Sequence, residues 1–335
     1  MNDVPPPPLA AEVNERELLA MARMLRRGRG TFVLAFARCN IPAQRERLVS
    51  TLRDVLAPLN VAISEVTLSG LQADIYAELT AVSTNANGDP LFVYGLESVM
   101  PSEDPYRALA QLNERRGRYQ GLARPLVFWV AEYVYRLIAE KAPDFWGWRS
   151  GVYEFVSEEG IARETYQREM AVPYMQMTGL ALAEKEARIR LLMGLLDDYR
   201  GDDRETRSAR SNVLLKLGQL HEELGDYEQA ERLYRESLKT AEELGDRHGF
   251  AVTQGSLGHL ARVRGDYEEA ERLYRESLKT FEELGDRRGV AVTQGSLADL
   301  ARLRGDYEQA ERLFAASLKM LDERSKNSAT GAGWP

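Results

Sequence analysis

The spacing of hydrophobic positions changes character twice along the chain. Between 9 and 27, Leu18, Leu19, Met21, Ala22 and Leu25 recur at helical spacing until Gly28-Arg29-Gly30 ends the run. From Thr31 the apolar residues come instead in short blocks, at 32–37, 61–68, 91–96, 125–130 and 150–155. Amphipathic stretches at 43–56, 74–82, 105–119 and 132–141 separate them. Such blocks are expected of strands buried on both faces. Their alternation with helices predicts parallel pairing through right-handed crossovers, a three-layer α/β sheet. From 161 the blocks stop and helices are predicted at 164–174 and 180–199, the second carrying Leu180, Ile189, Leu192, Leu195 and Leu196 on one side.

The remaining pattern repeats. Gly225-Asp226-Tyr227-Glu228-Gln229-Ala230-Glu231-Arg232-Leu233-Tyr234 returns at 265–274 and, altered, at 305–314, and Ala-Val-Thr-Gln-Gly-Ser-Leu stands verbatim at 251–257 and 291–297. A fixed forty-residue period predicts an α-solenoid, in which each unit buries its apolar stripe by stacking on the next. Within one unit, Gly265 is placed to end a first helix and Asp266 to cap a second. Gly258, Ala270 and Ser277 fall where the two backbones must come close, and Leu257, Leu260, Tyr274 and Leu278 fill between them.

This small–large pattern resembles the tetratricopeptide repeat, in a forty-residue form similar to that of kinesin light chains and many bacterial regulators, over 207–323. The resemblance implies that the first helix of each unit faces a groove. The candidate partner-binding residues are then Asn212, Gln219 and Glu222 in the first unit, His259 and Arg262 in the second, and Asp299 and Arg302 in the third. A peptide groove, a solvated face that binds nothing tightly, and a face stacked on the chain's own α/β part are the three readings. Phe314-Ala315-Ala316 replaces Tyr-Arg-Glu in the last unit, and this apolar end predicts self-association or a missing cap, or else packing on the tail.

An α/β domain ahead of such repeats raises the question of nucleotide chemistry. A phosphate loop needs Gly-x-x-x-x-Gly-Lys-Ser/Thr between the first strand and helix, so that backbone amides and a lysine hold the phosphates. The loop here is Ala37-Arg38-Cys39-Asn40-Ile41-Pro42-Ala43-Gln44, without a glycine, and no Gly-Lys pair occurs anywhere in the chain. Leu91-Phe92-Val93-Tyr94-Gly95-Leu96-Glu97 has the outline of a strand ending in an acid, where Glu97 stands alone in the place of a metal-coordinating carboxylate and reads first as a solvated strand-end carboxylate. Together with Leu112-Asn113-Glu114-Arg115-Arg116 and 142–155, these features resemble the degenerate, P-loop-lacking NTPase domains of bacterial STAND-type signalling proteins. The resemblance implies a scaffold or sensor without catalysis.

Arg38 and Cys39 end the first strand, where ligands enter open α/β sheets. Arg149, beside Trp146 and Trp148, either holds a base or phosphate against the aromatic planes or pairs with Asp144 while the tryptophans fill the core. Arg38, Glu97 and Arg149 are therefore the candidate residual ligand site. Cys39 has no histidine or glycine-rich turn near it in sequence and is not read as a catalytic thiol.

Composition narrows the classes further. A net charge of −8 argues against a general nucleic-acid or anionic-membrane binder. One cysteine and three histidines are too few for a soft metal cluster and exclude an internal disulfide framework, which suits a reducing cytoplasm. No signal peptide and no membrane-spanning run is read. The expected organisation is a proline arm and leading helix (1–30), a degenerate NTPase-like α/β domain (31–158), a helical linker or cap (159–206), three repeats (207–323) and a disordered tail (324–335). The expected function is a non-enzymatic, cofactor-free interaction scaffold in a signalling or defence-type complex, binding a protein or peptide. The rival is a nucleotide switch or enzyme with an unrecognised site in the α/β domain.

Overall fold

A computed structural model describes residues 10–70, 74–83, 88–100 and 106–329. The proline arm at 1–8 and the last residues, 330–335, lie outside the described residues. The chain divides into two compact units, one of 1–171 with 193–198 and one of 172–192 with 199–335.

The first unit is built on five strands, β1 Val33–Arg38, β2 Ser64–Thr67, β3 Leu91–Tyr94, β4 Pro125–Val130 and β5 Arg149–Glu154. All pair in parallel, in the order β2-β3-β4-β1-β5. Alternate residues of each block go to opposite faces. Leu34, Phe36, Leu91, Val93, Leu126 and Phe128 pack on one side with helices α3 Ile75–Ser83, α4 Tyr106–Glu114, α6 Glu132–Lys141 and α7 Pro143–Gly147. Ala35, Ala37, Phe92, Val127 and Trp129 pack on the other with α1 Ala10–Arg27 and α2 Pro42–Leu56. Covering both faces is what lets the blocks be apolar throughout; β4 is buried at every position.

Two helix boundaries differ from the pattern reading. The helix expected over 105–119 is broken at Arg115, where α4 gives way to the short α5 Arg116–Tyr119. The helix expected to continue to 174 stops as α8 Glu159–Met170, because Pro173 cannot donate within a helix. Pro173 instead stands at the N-cap of a separate short helix, α9 Tyr174–Thr178. Helix α10, Leu182–Asp198, follows.

The second unit carries three helix pairs: α11 Arg204–Glu223 with α12 Tyr227–Leu244, α13 Arg247–Arg264 with α14 Tyr267–Leu284, and α15 Arg287–Leu303 with α16 Tyr307–Ala329. Each pair turns on a left-handed glycine followed by an aspartate cap. Gly265 has φ +86°, and Asp266 accepts from the Glu269 amide at 3.2 Å. The same device returns between pairs, where Gly245 has φ +67° and Asp246 accepts from the Gly249 amide at 2.9 Å. Within a pair the two helices close on small residues: Ser277 Oγ donates to the Ala251 carbonyl at 2.8 Å, and Ser317 Oγ to the Ala291 carbonyl at 2.7 Å. Helix α16 continues through 324–329, the first part of the segment expected as a tail, so that segment is helical as far as Ala329.

Candidate functional site

In an open parallel sheet a ligand enters where the helices following two adjacent strands leave to opposite faces. Here that place is the carboxyl edge of β1 and β4, because α2 packs on one face and α6 on the other. The chain's own groups fill it. Asn40 Oδ1 accepts from the Glu132 amide at 2.9 Å, and Asn40 Nδ2 donates to Asp198 Oδ1 at 2.6 Å. Ser157 Oγ donates to the other oxygen of Asp198 at 2.6 Å. Gly194 lets the end of α10 come this close, since a Cβ there would stand 2.7 Å from the Asn40 carbonyl. Arg38 is held between Glu132 at 2.5 Å and Glu154 at 2.8 Å and lies over the Tyr135 ring. Burial pushes the Cys39 thiol up to about 12, so it is neither a thiolate nor a nucleophile at neutral pH.

The structure does not gather the three candidate residues of this unit. Arg149 pairs in register with Leu34, at the opposite end of β1 from Arg38. Its guanidinium lies 3.2 Å from the Trp146 ring centroid and donates to the Trp146 carbonyl at 3.1 Å. Asp144 forms its ion pair with Arg116, at 3.5 Å, rather than with Arg149. Glu97 sits in a 3-10 turn, Leu96–Val99, after β3, a strand separated from β1 by β4. Glu97 Oε2 is buried without a hydrogen-bond partner among the described residues.

The repeats hold an open site instead. A pocket of about 430 Å³ lies along α13 and α15, floored by Tyr234, Tyr274 and Phe281 and walled by Val252, Gly255 and Val292. Tyr174 of α9 borders it. Its apolar middle follows from the verbatim heptad: Val252, Gly255 and Ser256, continued by His259 just beyond it, sit at i, i+3, i+4 and i+7, one face of α13. At one end is a bonded polar group. Glu222, buried, accepts from Tyr234 Oη at 2.7 Å through one oxygen and lies 2.6 Å from His259 Nδ1 through the other. Burial, and then the charge of Glu222, push the Tyr234 phenol far up, so it is a permanent donor. The neighbouring Glu223 accepts from Tyr174 Oη at 2.6 Å and from Lys185 Nζ at 3.2 Å. At the other end, His248 lies 3.2 Å from Asp286, while Arg288 stands exposed.

Of the seven groove residues expected from sequence, Gln219, Glu222 and His259 line this pocket. Asn212, Arg262, Asp299 and Arg302 do not. Asp299 and Arg302 face each other at 3.4 Å, and Arg262 lies beside the Tyr274 hydroxyl. The residues missed are mostly Tyr174, the two groove tyrosines and the Val–Gly–Ser positions of the heptad. The heptad's identity in two units was the available signal for the last of these. At the end of the array Tyr307 is 71% and Leu318 65% exposed, whereas their counterparts Tyr267 and Leu278 are packed against the core of the second pair.

The repeats also match a known family in sequence. The sequence profile described as Tetratricopeptide repeat matches residues 207–279 and 249–323, so tetratricopeptide repeats are found there. Among solved structures, the chain is similar to BtubC (BKLC) from P. vanneervenii, at 16% identity and TM-score 0.36, covering 69% of this chain and 83% of that one. It is also similar to a Rap protein complexed with competence and sporulation factor, at 14% identity and TM-score 0.43, covering 94% of this chain and 77% of that one. No curated protein matches the chain in sequence. No helix among the described residues is long and apolar enough to cross a membrane.

Proposed function

We propose that the protein is a non-enzymatic interaction scaffold whose repeats capture a peptide segment of a partner protein. The observation that carries this is the pocket of about 430 Å³ along α13 and α15, apolar in the middle and polar at both ends. From His248 to His259 it follows twelve residues of α13, roughly 16 Å of helix, which an extended peptide spans with about five residues. A random-heptamer display library selected on the full chain tests it. The chain enriches a consensus, and Gly255→Met, which fills the pocket from its wall, abolishes the enrichment. Equal enrichment on both proteins contradicts the assignment.

In the same reading the sheet unit is an inactive NTPase-like domain serving a signalling or defence-type complex in the cytoplasm. It is supported by the glycine-free loop after β1 and by the internal bonding of Asn40, Asp198 and Arg38 at the place of ligand entry. Calorimetric titration with ATP and GTP, with and without Mg²⁺, is expected to give no heat of binding. Micromolar binding weakened by Arg38→Ala contradicts it. The exposed Tyr307 and Leu318 support self-association through the last pair. Sedimentation velocity then shows a concentration-dependent mass that Leu318→Glu abolishes, and a concentration-independent monomer contradicts it.

A further inference from the structure

The three helix pairs share one framework and differ at the residue facing the groove tyrosine. In the first pair Tyr234 Oη donates to the chain's own Glu222 at 2.7 Å. The counterpart of Glu222, forty residues on, is Arg262 in the second pair and Arg302 in the third, and the counterpart of Tyr234 is Tyr274 and then Phe314. The third pair is closed: Phe314 has no hydroxyl and Arg302 faces Asp299. Only the second combines a buried phenol with an arginine. Tyr274 is 1% exposed, lines the pocket, and its hydroxyl completes no hydrogen bond among the described residues. Its neighbours there are Arg262 and Ser296. A guanidinium has donors only and cannot receive the phenol's proton; Ser296 Oγ, which donates to the Val292 carbonyl at 3.2 Å, keeps its lone pairs but forms no hydrogen bond with Tyr274 Oη. Arg262 itself has no carboxylate within ion-pair distance among the described residues.

We propose that the second repeat binds a glutamate side chain of the captured peptide between Tyr274 Oη and Arg262, with the adjoining apolar residue of the peptide seated over Gly255 between Val252 and Val292. The incoming carboxylate supplies to Tyr274 the acceptor that Glu222 supplies to Tyr234, and it pairs with Arg262. Tyr274 lies beneath the groove surface, so the carboxylate has to arrive on a stem as long as that of Glu222, which favours a side chain over a chain terminus. The assignment rests on the peptide-groove reading and specifies the acidic character of the ligand.

The test is the heptamer selection on the full chain, run beside Arg262→Glu and Tyr274→Phe. Arg262→Glu puts a glutamate beside the tyrosine as in the first pair, although the counterpart of His259, which bonds Glu222 there, is Asp299, so its urea midpoint is read alongside to confirm that the fold is kept. The wild-type consensus is expected to pair a glutamate with a neighbouring aliphatic or aromatic residue, and a synthetic amidated peptide of that consensus binds Arg262→Glu at least about tenfold more weakly. Tyr274→Phe weakens the glutamate peptide while leaving its methionine analogue, which has no comparable acceptor, unaffected. A consensus without an acidic residue, or one unchanged by Arg262→Glu, overturns the carboxylate site and leaves the groove standing. A requirement met only by a free carboxyl terminus overturns the side-chain assignment. Enrichment of no peptide by any of the proteins overturns the groove reading itself.

Discussion

Gly218 and Gly255 lie on first helices of neighbouring pairs and answer opposite needs. A Cβ on Gly218 would stand 2.5 Å from the ring of Tyr234, so the glycine is what lets the ring lie against α11. A Cβ on Gly255 would meet only Ser277 Oγ, at an ordinary 3.6 Å, so that glycine leaves the pocket wall thin. Urea melts therefore separate them. Gly218→Val lowers stability by about 1–3 kcal/mol through overpacking. Gly255→Ala raises it by up to about 1 kcal/mol, because a mid-helix glycine costs backbone entropy without making contact there. Equal effects would contradict the assignment. The close approach at Gly218 and Gly258 was legible in the small–large pattern. The open space at Gly255 was not, because a glycine that admits an aromatic ring and one that leaves a cavity look alike in sequence. The tyrosine network was hidden for a related reason: Tyr234 and Tyr274 read equally as core, and only geometry distinguishes a satisfied hydroxyl from an unsatisfied one.

Helix ends were the most legible feature at the scale of elements, since Gly–Asp at each turn states both the stop and the next cap. Pro173 was equally plain on the page, yet helical periodicity on either side of it argued for continuity, and the proline's missing donor won. The turn from α11 to α12 differs from the later ones by His221, replaced by Ala261 and Ala301 in the following units. His221 Nδ1 lies 3.2 Å from Asp226, but burial outweighs this and holds its pKa below the ordinary histidine value. The group favours the folded state while neutral. Its contribution is complete above the unfolded pKa near 6.5 and is lost as pH falls through the lower folded value. His221→Ala should therefore flatten the fall in stability on acidification below about pH 6.5, read from urea midpoints across that range. A fall as steep as in the wild type would contradict it.

Across the whole chain, the two units show contrasting states of their candidate sites. The alternating blocks made the parallel sheet legible from sequence. They did not show that Asp198, far along the chain, is bonded to the loop after β1. That bonding, like the pairing of Arg38 with Glu132 and Glu154, came only with the folded structure, because nothing in local pattern links residues so distant. The repeats carry the opposite arrangement: a shared framework kept constant by Gly, Ala and Ser, with a few groove positions varied from unit to unit. In the proposed function, recognition belongs to α13 and α15, and the sheet is support. Hydrogen exchange of the full chain, with and without a saturating selected heptamer, tests this most directly. Protection concentrated over 248–259 and 288–296, with β1 to β5 unchanged, is the predicted result; protection confined to 33–154, with the repeats unaffected, would contradict it.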